Sequence, residues 1–377
     1  MGRKKIQFIT SYPLHNEPVI KNRLVPYVKV ASQNEYEVQI ISPDDKPFYM
    51  DIDGFKHVIS VDSTKKPRDF ASRMWFEIKQ ARRLIKCAKQ YEADIRIITV
   101  PSMFLLFNAY LFRKTPFITD LRDLTWEYIP ETNFVNRLAK KTFRFLACKN
   151  IKLSSFINVT NNTEAEYLRN KFKVNKPIVL VPNGVTQEQF CQLSKISVKQ
   201  SGTPSVAYIG NVGLAQNLRN LVDVAQHIPD VDFYIVGEGT DFDAVKHYAG
   251  QINSPNLVIT GRLPWKEVTK IYEKSDILYA QLSPDFATAM PSKLYEYLST
   301  GKYIVYGGQE QAKSILSNFE NNIVIEPCNS KLLESTIRGL ITNKVYKNCS
   351  SDNKNKIEQT FIREKTVAKV FEYLKVN

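Results

Sequence analysis

Short runs of β-branched and aromatic residues recur along the chain, each closed by polar positions or glycine. In the first half they are IQFIT (6–10), YEVQIIS (36–42), HVISV (57–61), IRIITV (95–100), PFITDL (116–121) and SFINVT (155–160). Helix-spaced patterns lie between several of them, notably at 73–91 and 133–149. The segment PIVLVPNGV (177–185) ends this half on a Pro-Asn-Gly turn, a plausible hinge. The pattern then restarts with SVAYIGN (205–211), DFYIVGEG (232–239), NLVITGR (256–262), DILYAQL (276–282), KYIVYGG (302–308) and NIVIEP (322–327). Strands alternating with helices predict parallel sheets joined by right-handed crossovers. The expected fold class is α/β, with two Rossmann-like doubly wound domains, 1–183 and 184–356, facing a central cleft. A helical stripe of Ile357, Phe361, Val367, Val370, Phe371 and Leu374 marks the tail. This helix, about 357–377, is expected to pack back on the first domain.

Composition narrows the class. With 43% hydrophobic and 24% charged residues over 377 positions, the chain reads as folded and long enough for two cores. Five cysteines, odd in number and without a CxxC pair, fit a reduced compartment better than a disulfide framework or a zinc site. Four scattered histidines further weaken a metal reading. The N-terminus MGRKKIQFIT is basic but runs straight into a strand, so no secretory signal is read there. The apolar stretch 97–112 is short for a span of about 20 residues and is interrupted by Pro101. It is read as a strand, a turn at Pro101-Ser102 and a packed helix, and a cytoplasmic protein is the expectation.

The net charge of +14 is unevenly placed. Residues 1–190 hold 31 of the 52 Lys and Arg against 19 of the 38 Asp and Glu, leaving the remainder nearly balanced. A basic first half points to an anionic partner there: nucleic acid, anionic lipid or a phosphate-bearing substrate. A lysine-rich proteome explains the overall basicity better than the asymmetry.

In open α/β sheets ligands bind at the carboxyl ends of strands, which directs attention to four loops of the second half. In the first, YIGNVGLAQNL, Gly210 and Gly213 allow close backbone approach and a helix is expected near Ala215. An ordinary tight turn is the equal alternative. Gly237-Glu238-Gly239 of the second is either a substrate contact or a plain βα turn. In the third, Gly261-Arg262-Leu263 can set backbone groups beside a base and a guanidinium near a pyrophosphate, or simply present a surface arginine. The fourth starts a helix at Pro291 and Ser292, with Ser292 suited to capping. Lys293 and Glu296 share one face of that helix. Glu296 can accept from both hydroxyls of a ribose, and Lys293 can neutralise a leaving diphosphate. The modest alternative is a surface salt bridge between the two.

Together G-N-V-G-L-A-Q (210–216), V-G-E-G (236–239), G-R-L-P (261–264) and M-P-S-K-L-Y-E-Y-L-S-T-G-K-Y-I-V (290–305) resemble the nucleotide-binding half of glycosyltransferase family four, with the GT-B fold. The P-S-K-x-x-E-Y helix looks like that of bacterial surface-polysaccharide enzymes of capsule, O-antigen or exopolysaccharide assembly. V-P-N-G-V at 181–185 and L-R-D-L at 121–124 extend the likeness into the hinge and first half. The resemblance implies retaining transfer of a sugar from a nucleotide-diphosphate donor, UDP before GDP, with no cofactor and no obligatory metal. It implies Glu296 as the ribose ligand, and Lys293 with the Gly210–Gly213 loop, Asn211 and Gln216 included, at the diphosphate. Arg262 and Leu263 take the base side, while Gly237, Glu238, Pro291 and Ser292 complete the donor site. Asp123 faces the transferred sugar or the acceptor. The sequence departs from the family pattern at Thr288, where many members have a glutamate. It departs again at Asn211 and Gln216, where an arginine and a lysine are usual, so Lys293 and Arg262 are left to carry the charge.

The acceptor is expected on the first domain. Segment 133–150 sets Phe134, Leu138, Phe145 and Leu146 among Arg137, Lys140, Lys141, Arg144 and Lys149. Segment 73–90 repeats this with Trp75, Phe76, Arg82, Arg83 and Lys86. Such helices either lie on an anionic membrane surface or bury their apolar face in their own core. With the basic first half, the first reading gives a peripheral protein at the inner face of the plasma membrane, acting on a polyprenyl-diphosphate-linked acceptor. Competing classes are a non-hydrolysing UDP-N-acetylhexosamine epimerase, which needs clustered acids and histidines, and a non-catalytic scaffold for an anionic partner. No nucleic-acid module is recognisable.

Overall fold

The computed structural model describes residues 3–15, 18–60, 70–100, 102–112, 115–198, 201–286 and 291–376. Thr288 and Pro101 therefore lie outside the described residues. The chain divides into two compact units, Met1–Asn183 with Arg363–Asn377, and Gly184–Ile362.

The first unit holds strands β1 (Lys5–Ile9), β2 (Glu37–Ser42), β3 (Phe55–Ile59), β4 (Ile95–Val100), β5 (Phe117–Leu121), β6 (Ile157–Val159) and β7 (Ile178–Leu180). They form one parallel sheet in the order β3-β2-β1-β4-β5-β6-β7, so the strand order reverses between β1 and β4. The central strands are apolar on both sides because helices cover both faces. Phe104, Trp126 and Ile151 belong to one core; Tyr27, Val28 and Phe371 belong to another.

The second unit repeats the design with β8 (Ser205–Ile209), β9 (Asp232–Val236), β10 (Leu257–Gly261), β11 (Ile277–Gln281), β12 (Tyr303–Gly307) and β13 (Asn322–Ile325). Their order is β10-β9-β8-β11-β12-β13, all parallel, with the reversal between β8 and β11. This is the α/β, doubly wound architecture that the repeated apolar runs predict.

The tail differs from a single helix. It forms Ser351–Thr360 in the second unit and Arg363–Val376 in the first. The break falls where Ile362 pairs as a parallel bridge with Val185 and the Phe361 carbonyl accepts from Val185 N–H at 3.0 Å. Val367, Val370 and Phe371 of the last helix are buried with Tyr27 and Val28 in the first unit's core.

Two polar networks hold the first unit's interior. Arg23 and Asp120 form a fully buried ion pair at 2.6 Å; Arg23 also donates to the Val181 carbonyl at 2.9 Å. Asp44 accepts from Leu14 N–H (2.9 Å), His15 N–H (3.1 Å) and Ser42 Oγ (2.5 Å). His57 Nε2 sits 2.6 Å from Ser42 Oγ, while its Nδ1 accepts from Phe48 N–H. Burial alone would raise the Asp44 pKa, but the interactions of His57, first, and then of Ser42 and the Leu14 and His15 amides outweigh it and hold the carboxylate well below its ordinary range. The histidines are thus less scattered than the sequence implies: two of four converge on Asp44.

The helix Phe134–Ile151 has apolar residues on two sides. Phe143, Leu146, Ala147 and Ile151 pack into the core. Phe134, Leu138 and Phe145 stand 74%, 55% and 65% exposed, with Arg137, Lys141 and Lys149 exposed beside them. Trp75, on the helix Phe70–Ala88, is also exposed, with Lys79 Nζ 5.4 Å from its ring. Among the described residues no helix is long and apolar enough to cross a membrane.

Candidate donor site

The second unit brings most of the predicted residues together at the carboxyl ends of β8, β9 and β10. Each of these strands ends at a glycine with positive φ: Gly210 (+153°), Gly237 (+139°) and Gly261 (+73°). Gly210 N–H donates to the Val236 carbonyl at 2.8 Å, and Gly237 N–H to the Gly261 carbonyl at 2.9 Å. A Cβ on Gly237 would fall 1.7 Å from the Gly210 carbonyl oxygen, so only glycine permits this approach. Val212 N–H then donates to the Glu238 carbonyl at 2.9 Å, tying the first loop to the second.

The space above Gly210 is filled by a side chain from another element. A Cβ there would lie 1.1 Å from Lys293 Nζ: the ammonium occupies the space a side chain would take. Lys293 Nζ donates to Tyr208 Oη at 3.0 Å and lies 4.3 Å from the centre of that ring. Burial brings the Lys293 pKa down to about 7, with Glu296 acting in the opposite direction. Tyr208 Oη in turn donates to the Asn211 carbonyl. Lys293 thus reaches across to the β8 loop, where a surface salt bridge would have kept it on its own helix.

The helix Lys293–Thr300 is held by buried groups. Tyr297 Oη accepts from Ile209 N–H at 2.9 Å and lies 3.2 Å from the carbonyls of Ile209 and Tyr279, pinning the helix to β8 and β11. Gly301 closes it in the left-handed conformation. Glu296, one turn after Lys293, accepts from Tyr272 Oη at 3.0 Å.

Some expectations change. Ser292 has helical backbone angles and makes no side-chain cap bond, because capping needs the extended conformation that leaves the hydroxyl over the free N–H groups. Pro291 instead offers its carbonyl to Leu294 N–H at 3.2 Å. Ala215 lies in a 3-10 turn, Leu214–Gln216; the α-helix begins at Arg219, after Asn217 adopts the left-handed conformation. Gln216 Oε1 accepts from Gly213 N–H at 3.1 Å and from Asn211 Nδ2 at 3.4 Å. The two positions that depart from the family pattern therefore close the loop on itself. Arg262 and Glu238 pair at 3.6 Å with both side chains more than half exposed, an interaction of little worth. Leu263 packs at the edge of the core. Asp123 belongs to the first unit, where Tyr128 Oη donates to its Oδ1 at 3.2 Å and burial raises its pKa.

Sequence reasoning missed the supporting residues. Tyr208, Tyr272 and Tyr297 read as core aromatics, and their hydroxyl roles have no local signature. Gln281, fully buried at the end of β11, donates to the Gln216 and Asn217 carbonyls and accepts from Tyr279 Oη and Cys328 N–H. A glutamine in an otherwise apolar strand was the one available signal.

Comparison with known proteins gives a family match for part of the chain and a fold for the whole. Residues 190–358 match the family described as Glycosyl transferases group 1. A curated relative, an uncharacterized glycosyltransferase of Methanocaldococcus jannaschii, is 22% identical over 256 residues; the match spans 65% of this chain and 65% of that protein's length. Sucrose-phosphate synthase from Thermosynechococcus elongatus has a TM-score of 0.79 at 12% identity, over 99% of this chain and 98% of its own. HepE from Anabaena, solved in complex with UDP and glucose, has a TM-score of 0.67 at 13% identity, over 99% of both chains. These likenesses show the fold: GT-B, two Rossmann-like parallel-sheet domains.

Proposed function

We propose that this chain, whose second unit is a glycosyl transferases group 1 domain, transfers a sugar from a UDP-sugar to a lipid-linked acceptor, with retention of configuration, in surface-polysaccharide assembly. The observation that carries the donor half is the placement of Lys293 Nζ directly over Gly210, at the mouth of a ring of strand-end glycines. A cation held there, beside backbone groups that glycine leaves open, stabilises the diphosphate as it departs. Glu296, one turn along and steadied by Tyr272, accepts hydrogen bonds from the ribose hydroxyls in this reading. HepE, solved with UDP-glucose, supports UDP as the nucleotide. The bound nucleotide needs no metal in this reading, since lysine and amides supply the charge. Asp123, with a carboxyl whose pKa burial raises, serves the sugar or acceptor.

The donor reading is tested by thermal unfolding with UDP and with GDP. UDP should raise the midpoint by an amount set by RT ln(1 + [L]/Kd). Glu296→Ala should lose most of that rise while unfolding at a similar temperature without nucleotide. A full response to UDP in the variant would remove Glu296 from the site; no response in the wild type would leave the non-catalytic scaffold.

The exposed face of helix Phe134–Ile151 supports the membrane half. Aromatic and leucine side chains flanked by lysine and arginine match an interfacial helix, apolar toward the acyl boundary and basic toward anionic headgroups. The protein should sediment with vesicles containing phosphatidylglycerol and not with pure phosphatidylcholine. Replacing Phe134, Leu138 and Phe145 together by serine should abolish sedimentation and leave UDP binding intact. Unchanged sedimentation would assign the face elsewhere.

A further inference from the structure

The first unit contains an arginine that the donor site does not use. Arg122 follows β5, and its N–H donates to the Val100 carbonyl at the end of β4 (3.0 Å). The neighbouring acid, Asp120, is already committed to Arg23 at 2.6 Å. Among the described residues the Arg122 Nε is closed off from solvent and has no hydrogen-bond partner, while the residue as a whole is partly exposed. Burial and the nearby Arg23 both oppose its charge, with Asp120, Asp123 and Tyr12 offsetting only part of this. A guanidinium stays charged and carries five donors in a planar fork, so leaving even one of them buried and unbonded is costly.

Two hydroxyls at the same edge share this condition. Ser11, just after β1, is 4% exposed, and its Oγ has no partner; nor does Thr125 Oγ1, three residues beyond Arg122. Tyr12, adjacent to Ser11, is near enough to influence the Arg122 charge. Strands β1, β4 and β5 are neighbours, so these groups lie at the carboxyl edge where the strand order reverses. Such switch points are where open α/β sheets bind ligands. A planar cationic fork with two hydroxyl donors is the chemistry that receives a phosphate oxygen pair.

We propose that Arg122, with Ser11 and Thr125, forms an oxyanion site holding a phosphate group of the acceptor. The assignment to the acceptor rests on the reading above, in which the acceptor is carried on a diphosphate and the donor's diphosphate is met by Lys293. The phosphate could instead be the donor's, and the experiment separates the two.

The full chain, saturated with UDP, is titrated calorimetrically with farnesyl diphosphate; UDP is titrated separately into the free protein. Farnesyl diphosphate should bind the UDP-saturated wild type. Arg122→Gln should weaken it by about tenfold or more, as loss of charged hydrogen bonds requires, and Arg122→Lys should restore part of it. Ser11→Ala should weaken it several-fold and guards against a folding defect in the arginine variants. UDP affinity should stay within about twofold throughout. Equal farnesyl diphosphate affinity in wild type and Arg122→Gln, or no binding to the wild type, overturns the site. Weakened UDP binding with unchanged farnesyl diphosphate binding moves Arg122 to the donor and overturns the acceptor assignment. Arg122-dependent farnesyl diphosphate binding in a protein that ignores UDP would sustain the site and remove the donor reading.

Discussion

Lys293→Gln should slow sugar transfer by on the order of 10² to 10³ in turnover, the usual cost of removing one preorganised group facing developing charge. The loop it covers, residues 210–216, contains no second cation. Asn211 and Gln216 occupy the loop positions that could have held one, and they bond to each other and to Gly213. UDP affinity should fall as well, whereas the unfolding temperature should hold or rise, because the lysine is half-buried at a cost in solvation. The same geometry gives UDP binding a pH dependence. Lys293 has its pKa brought down to about 7 by burial, and a bound diphosphate raises it again. Binding therefore takes up a proton, is strongest below pH 7, and weakens as pH rises, by up to about tenfold per unit. Calorimetry in buffers of different ionisation enthalpy would detect that proton. Pre-steady-state transfer by Lys293→Gln at the wild-type rate, or flat UDP affinity from pH 6 to 9, would show that Gly210 and its neighbours bind the diphosphate through backbone alone.

Asp120→Ala should destabilise the first unit by about 3–5 kcal/mol, because it leaves Arg23 charged and uncompensated in the interior. Burial opposes the Arg23 charge, yet Asp120 more than offsets it, and the guanidinium pKa lies above its ordinary value. Tyr27 and Asn158 complete the network, with Asn158 Nδ2 donating to Tyr27 Oη at 2.9 Å and that hydroxyl lying 3.4 Å from Asp120. Urea unfolding followed by tryptophan fluorescence reads this unit, since Trp75 and Trp126 lie in it and Trp265 in the other. The double replacement Arg23→Met with Asp120→Leu should recover much of the loss, since an apolar pair removes both charges. A single variant as stable as the wild type would mean that water reaches Arg23.

Most of the architecture was legible because it is written in local repetition. Runs such as IRIITV and DILYAQL are buried on both faces of a parallel sheet, so they read as continuous apolar segments. The glycines that end β8, β9 and β10 were legible as candidate ligand loops for a similar reason: positive φ and close backbone approach exclude other residues. Lys293 and Glu296 stood out through spacing and family likeness, but what each touches did not.

Sequence alone determined the alternation of strands and helices, the restart after Pro182-Asn183-Gly184, and the loops that follow the strands, since each depends on residues close together in the chain. Only the tertiary structure decided which partners those loops acquire. Lys293 meets Tyr208 across 85 positions, and Arg23 meets Asp120 across 97. Both choices depend on how strands order in the sheet, which no window of sequence contains. The helix Phe134–Ile151 makes the same point from the outside. Its apolar residues lie on two sides, and periodicity cannot say which side the sheet will cover. Packing covered Phe143 and Leu146 and left Phe134, Leu138 and Phe145 to solvent.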